Sequence, residues 1–268
     1  MKQVKIILSA FVLMLIAVLT TSCNCCSGTV SGSDFSYSKS DLTPKPFKAI
    51  EVDVVADVYY TQNDGDKCDV RLDYSNVDDP DLVRQMKEKV RVVYRDGGVE
   101  IGVQGKLTGV NNLKQGKRLK IYITSPDIVA ITMEGIGTFN TENINTDTLK
   151  INNEGVGSVN IGKLLANKVT LDNEGVGSVR IKEMQVDVLK VDNEGVGSVG
   201  IDNHKGKTVK IINEGVGNVT AKVDCESVIA RLEGVGSIKL SGVTRQFSHT
   251  KDGVGSIKSS DLKVIRTH

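Results

Sequence analysis

The chain has 268 residues, 39% of them hydrophobic, which is enough to bury a core in one large or two small domains and excludes disorder throughout. Its 34 Lys and Arg nearly cancel its 33 Asp and Glu, so it lacks the field that draws a protein to nucleic acid. Aromatic residues make up 4% with no Trp, and only Phe139 and Phe247 lie beyond position 123, so the C-terminal half offers few flat platforms for stacking sugars or bases.

Residues 1–22 read as an export signal. Met1-Lys2-Gln3-Val4-Lys5 is a basic start, and the apolar run from Ile6 to Leu19 is shorter than the roughly 20 residues of a spanning helix. The run closes as Leu19-Thr20-Thr21-Ser22-Cys23, small residues directly before a cysteine, which resembles the lipobox of bacterial lipoproteins. Cys23 would then carry acyl chains that hold the protein on a membrane, the outer membrane being the expected one, while the body stays in water. The alternative is ordinary secretion with Cys23 as a plain thiol. Cys25, Cys26, Cys68 and Cys225 remain, and in an oxidising compartment their pairing is open, Cys68 with Cys225 among the choices.

Residues 23–44, rich in Ser, Gly and Thr, have the composition of a flexible tether. Residues 45–130 form a β region. Period-two alternation runs through Ile50, Val52 and Val54, through Val58 and Tyr60, and through Val70 and Leu72. Asp79-Pro80-Asp81 is a helix start, and Leu82, Val83 and Met86 predict one short helix over 81–89. Alternation resumes at Val90 and Val92, at Val99, Ile101 and Val103, and at Leu119, Ile121 and Ile123, with Asp96-Gly97-Gly98 as a hairpin turn.

Residues 131–268 repeat. An acid followed by Gly, an apolar residue and Gly begins at Glu134, Glu154, Glu174, Glu194, Glu214, Glu233 and Asp252, in steps of 19 or 20 residues. Leu149 and Ile151 alternate before the marker, and Val159 and Ile161 after it. Val156, inside the marker, is expected to point inward with them. Two short strands and two bends per unit predict an all-β fold, a single-stranded parallel β-solenoid of about 20-residue coils stacked about 4.8 Å apart, continuous with the N-terminal β region. A leucine-rich repeat would need a helical return segment, and a propeller about 40 residues per blade. The glycine pairs Gly135 and Gly137, Gly155 and Gly157, Gly175 and Gly177, Gly195 and Gly197, Gly215 and Gly217, Gly234 and Gly236, and Gly253 and Gly255 serve the turn, by positive φ or by close stacking without a Cβ clash.

The acids Glu134, Glu154, Glu174, Glu194, Glu214, Glu233 and Asp252 would form a column, with Asn153, Asn173, Asn193 and Asn213 stacked just before it. Neighbouring carboxylates at that spacing repel by roughly 1 kcal/mol in water. Three offsets are open: the cations Lys150, Lys190 and Lys210, hydrogen bonds from the N–H groups of the glycine turn, or Ca²⁺. The column otherwise serves as an acidic binding stripe. His204, His249 and His268 are scattered, without the spacing of a triad or a metal site. No catalytic residue and no cofactor is expected.

Phe47-Lys48-Ala49-Ile50-Glu51-Val52 with Asp57-Val58-Tyr59-Tyr60-Thr61-Gln62, Leu119-Lys120-Ile121-Tyr122-Ile123 with Ser125-Pro126, and the repeat Gly135-Ile136-Gly137 resemble the auto-transporter adhesin, head GIN domain family. The resemblance implies a right-handed β-solenoid with a surface-binding role and no catalytic residues. The near identity of successive units and the lack of a translocator barrel depart from autotransport. The expected partners are a membrane through the lipid and a protein or glycan. Two alternatives differ in class: a structural spacer that self-assembles through solenoid ends, with residues 81–89 capping one end and Leu262, Lys263 and Val264 edging the other, and a carbohydrate-active enzyme on a β-helix.

Overall fold

The computed structural model describes residues 29–31, 38–110 and 116–265. The export signal and Cys23, Cys25 and Cys26 lie outside the described residues. Two strands precede the long repeat as its first coil, β2 (Ala49–Asp53) and β3 (Val55–Gln62), after the short β1 (Thr29–Ser31). Next come β4 (Asp69–Asp73), α1 (Pro80–Lys89), β5 (Val90–Arg95), β6 (Gly98–Val103), β7 (Lys106–Thr108) and β8 (Leu119–Ser125). The repeat proper holds β9 (Ala130–Met133), β10 (Ile136–Asn145), β11 (Thr148–Asn153), β12 (Val156–Asn173), β13 (Val176–Asn193), β14 (Val196–Lys205), β15 (Thr208–Asn213), β16 (Val216–Leu232), β17 (Val235–Lys251) and β18 (Val254–Val264).

These strands build a parallel β-solenoid of about seven turns with coils about 20 residues apart. One wall stacks β6, β2, β9, β11, the second halves of β12 and β13, β15, and the second halves of β16 and β17. The other stacks β8, β3, β10, the first halves of β12 and β13, β14, the first halves of β16 and β17, and β18. Registers such as Val159↔Val179 and Leu171↔Val191 put like residues in columns. The inward members Val159, Ile161, Val169 and Leu171 are at most 1% exposed, each such burial stabilising by about 1.5–3 kcal/mol.

Coil order in space differs from chain order. The first coil, β2 and β3, lies between the coil of β6 and β8 and that of β9 and β10. The chain therefore leaves its first coil, builds the end of the stack, and returns across it through residues 126–129. Val129 N–H donates to the Lys48 carbonyl at 2.7 Å, and Lys48 pairs with Asp127 at 3.0 Å. That end is closed by antiparallel strands, β4 on β8 and β5 on β6, and by α1, which buries Leu82 and Met86. Asp79 caps α1 by accepting from the N–H groups of Asp81 and Leu82. The hairpin expected at Asp96-Gly97 joins β5 and β6 with φ of 52° and 73°, the left-handed pair of a tight turn. Inside the tether, Thr29–Ser31 pairs antiparallel with β7, an element that composition did not reveal.

The opposite end is closed by side chains rather than by an element. In the last coil the inward columns of Ala230 and Leu232 pass to His249 and Lys251, and Phe247 stacks on His249 at 5.1 Å. Polar residues thus replace apolar ones where the core meets water, as a terminal repeat requires.

The marker valine corrects the sequence reading. Val156, Val176 and Val216 are 50%, 49% and 44% exposed, pointing out rather than in. Counted back from Val159, strict alternation already places Val156 outside and Gly157 inside. The pairing of Cys68 with Cys225, left open by the sequence, is not formed, since both are free thiols. Cys68 lies beside the Phe47 carbonyl at the capped end, whereas Cys225 is in β16, many coils away.

His204 lies in β14 and is 2% exposed. Its Nε2–H donates to the Val186 carbonyl at 3.0 Å, and the buried Nδ1 has no partner. Burial holds its pKa below the usual 6.5, so unfolding takes up a proton as pH falls below 6.5 and stability drops there. Carboxylates such as Glu51 and Glu194, whose pKa values are raised, act in the opposite sense. Comparison with His204→Leu isolates the histidine: the variant's midpoint should rise relative to the wild type's between pH 7 and 5, and a constant difference across that range refutes the assignment.

Candidate functional site

Each marker folds one corner of the solenoid. The N–H groups of Glu154 and Gly155 both donate to the Met133 carbonyl, at 2.9 and 2.8 Å, and those of Glu174 and Gly175 to Asn153, at 3.0 and 2.8 Å. The preceding coil's carbonyl therefore satisfies the turn. Close approach explains the glycines: a Cβ on Gly155 would lie 2.0 Å from the Gly135 oxygen, and one on Gly157 1.7 Å from the Gly137 oxygen.

The acid column is assembled, and its chemistry differs from expectation. Glu154, Glu174, Glu194 and Glu214 are exposed, and turn N–H groups donate to carbonyls rather than to these carboxylates. The lysines make their close ion pairs elsewhere: Lys150 and Lys190 pair with Asp172 and Asp192 in the neighbouring outward row, and Glu194 acts on Lys190 only as a lesser neighbouring charge. Among the described residues, Glu233 is the one member of the column with an ion pair, to Arg231. Burial, then the neighbouring Glu214 and Glu174, push the Glu194 carboxyl up. Burial, Glu51, Glu154 and Asp53 do the same to Glu134. Glu134, Glu154, Glu174, Glu194 and Glu214 thus stand exposed along one edge. Among the described residues no group of three or more His, Cys, Asp and Glu side chains could hold a metal ion.

Beside the acids runs an apolar ridge of Ile136, Val156, Val176, Val196, Val216, Val235 and Val254, registered coil on coil. Beneath them is the asparagine ladder expected just before the acid column, and it faces the core. Asn153, Asn173, Asn193 and Asn213 are at most 1% exposed. Asn153 Nδ2 donates to Asn173 Oδ1 at 2.7 Å, Asn173 to Asn193 and Asn193 to Asn213 at 2.6 Å each, and Asn213 Nδ2 to the Gly217 carbonyl at 3.2 Å. Each rung satisfies its neighbour in a dry core.

A third outward row breaks the repeat. It reads Tyr122, Tyr59, Asn140, Asn160, Arg180 and Gly200 through successive registers. It edges an open groove of about 690 Å³ that Tyr59, Gln62, Asn140, Glu142, Asn160, Gly162, Arg180 and Lys182 help to line. The concentration of aromatics before position 123 was the one signal of it in the sequence.

The fold and these rows define a rigid parallel β-solenoid that displays long columns of like side chains. The sequence profile of the family described as putative auto-transporter adhesin, head GIN domain, matches residues 46–215 and 186–268, and the chain belongs to that family. A crystal structure of a putative adhesin from Bacteroides fragilis is similar at 28% identity and a TM-score of 0.69, covering 87% of this chain and 97% of that one. A putative adhesin from Parabacteroides distasonis (17% identity, TM-score 0.53, 86% and 94% covered) shares the fold, as does a putative lipid binding protein from the same species (18%, 0.50, 81% and 93%). No curated protein matches.

Proposed function

We propose that the chain is a non-enzymatic, surface-binding protein of the bacterial envelope, tethered through acylated Cys23, whose solenoid wall engages a protein or glycan. One observation carries this: the outward side chains form registered rows over successive coils on a frame locked by a dry core and the asparagine ladder. Such a wall suits an extended partner that contacts several coils at once, whereas a small substrate needs one converging cluster. Family membership supports the binding role. The polar closure of the last coil by His249 and Lys251 disfavours the spacer alternative, because end-to-end stacking would bury those side chains.

Anchoring is tested by feeding cells radiolabelled palmitate. Label on the wild-type protein and none on Cys23→Ala, which should move to the soluble fraction, supports it; equal labelling refutes it. Binding is tested by applying the purified full chain to bacterial and host cell surfaces and to glycan and protein arrays. Retention on none of them up to millimolar concentration overturns the proposal.

A further inference from the structure

We infer that the groove beside Tyr59 binds a short neutral oligosaccharide, a reading that rests on the surface-binding function above and names its ligand class. Tyr122 and Tyr59 are stacked at 5.3 Å with 21° between their planes. The far face of Tyr122 is covered by the Arg71 guanidinium, 4.2 Å from the ring centroid. The next residue along the row from Tyr59 is Asn140, whose side chain is shorter than a tyrosine ring. The outer part of the other Tyr59 face therefore stands free above it, and Tyr59 is 37% exposed. A free ring face at the end of a polar groove is what the C–H face of a pyranose packs against.

The floor provides hydrogen-bonding groups of both kinds. Asn140 is held by its own bonds to Thr138 and to the Val58 carbonyl, and it accepts from Asn160 Nδ2 at 3.1 Å. That bond orients Asn160 and leaves its Oδ1 as an acceptor for a ligand hydroxyl. Glu142 and Lys182 are exposed on the same groove, one accepting and the other donating. At the far end Arg180 is neutralised by Asp202 at 2.9 Å. Opposite charges of equal number favour a neutral ligand over an acidic one. Gly162, which coil stacking requires because its Cβ would meet the Glu142 carbonyl oxygen at 2.5 Å, adds no side chain to the groove it lines. From Tyr59 to Arg180 is three coil steps, about 14 Å, which gives room for several sugar rings. The backbone of this wall is spent in its own ladders, so it offers no edge to an added peptide strand.

The test uses the full chain in detergent and titrates fragments of neutral β-glucan, α-glucan, mannan and chitin by calorimetry, with Tyr59→Ala, Tyr59→Phe, Asn160→Ala and, on the ridge, Val216→Ala. At least one fragment should bind. Tyr59→Ala and Asn160→Ala should each weaken it about tenfold or more, with thermal midpoints near the wild type's, whereas Tyr59→Phe, which keeps the ring, and Val216→Ala should leave it within about twofold. Binding that survives Tyr59→Ala and Asn160→Ala overturns the groove as the site. No binding to any fragment, with cell-surface or protein binding retained, overturns the groove and leaves the surface-binding function standing. No binding of any kind removes both.

Discussion

Gly177→Ala should lower the thermal midpoint by about 10 °C or more. The added Cβ would stand 1.7 Å from the Gly157 carbonyl oxygen and 2.7 Å from its carbon. Both atoms are backbone of the coil below, so no side chain can swing away. Relief requires the two coils to separate at the corner, which breaks ladder bonds and loosens the buried columns beside it. A loss of about 3 kcal/mol or more is expected, equivalent to about 10 °C for a domain of this size. Gly200→Ala is the control. Its Cβ would meet nothing nearer than the Arg180 Cγ at 4.0 Å, and it should be neutral or slightly stabilising. A Gly177→Ala midpoint no lower than that of Gly200→Ala would show that the corner has room for a Cβ.

Asn193→Leu should cost about 4 kcal/mol although the two side chains are similar in size. The change orphans Asn173 Nδ2 and Asn213 Oδ1, both fully buried and now bonded to Asn193 at 2.6 Å. A buried polar group without a partner costs about 1–3 kcal/mol. The fourfold variant, with Leu at 153, 173, 193 and 213, orphans no side-chain amide and should recover most of the loss. The column already accepts apolar residues at both ends, since Met133 stands in register with Asn153 and Leu232 with Asn213. Chemical denaturation of wild type, single and fourfold variants measures this. A fourfold variant no more stable than the single one would mean that the ladder stabilises the corner outright rather than by mutual satisfaction.

Much of the architecture is legible in the residues because the repeat is a physical period. A coil of 19 or 20 residues must match its neighbour to keep its ladder, so Val159, Val179 and Val199 had to stack and had to be inside. Local chemistry also spoke for itself: Asp79-Pro80 starts α1, and Asp96-Gly97 turns β5 into β6. The candidate site was legible only in outline. The acid column follows from the period, but which side of the wall each marker residue takes depends on the corner. There the apolar Val156 goes out and the polar Asn153 goes in, against their hydrophobicity. Alternation counted from Val159 resolves the valine. Alternation counted on from Leu149 and Ile151 likewise puts Asn153 inside, but what makes its burial tolerable, the bond to Asn173 of the next coil, is not local.

Lys150 shows the same limit. Four residues before Glu154 it reads as that residue's counter-ion, yet the wall places Asp172 of the next coil beside it at 3.7 Å. The groove is a further case, since Tyr59 and Asn160 are a hundred residues apart in the chain and two coils apart in space.

By itself, then, the sequence determined the repeat length, the parallel stacking, the inward columns and the helix over the N-terminal end, which rest on periodicity or on contacts within a few residues; the family came from the resemblance of segments such as Phe47–Val52 and Leu119–Ile123. Tertiary structure alone decided that the first coil is inserted between two later ones, that the buried asparagines bond one another from coil to coil, which charges pair, and where a ring face stands open. These are contacts between coils, and a side chain's partner across a coil boundary is set by which strand lies next to it, which no window of neighbouring residues contains.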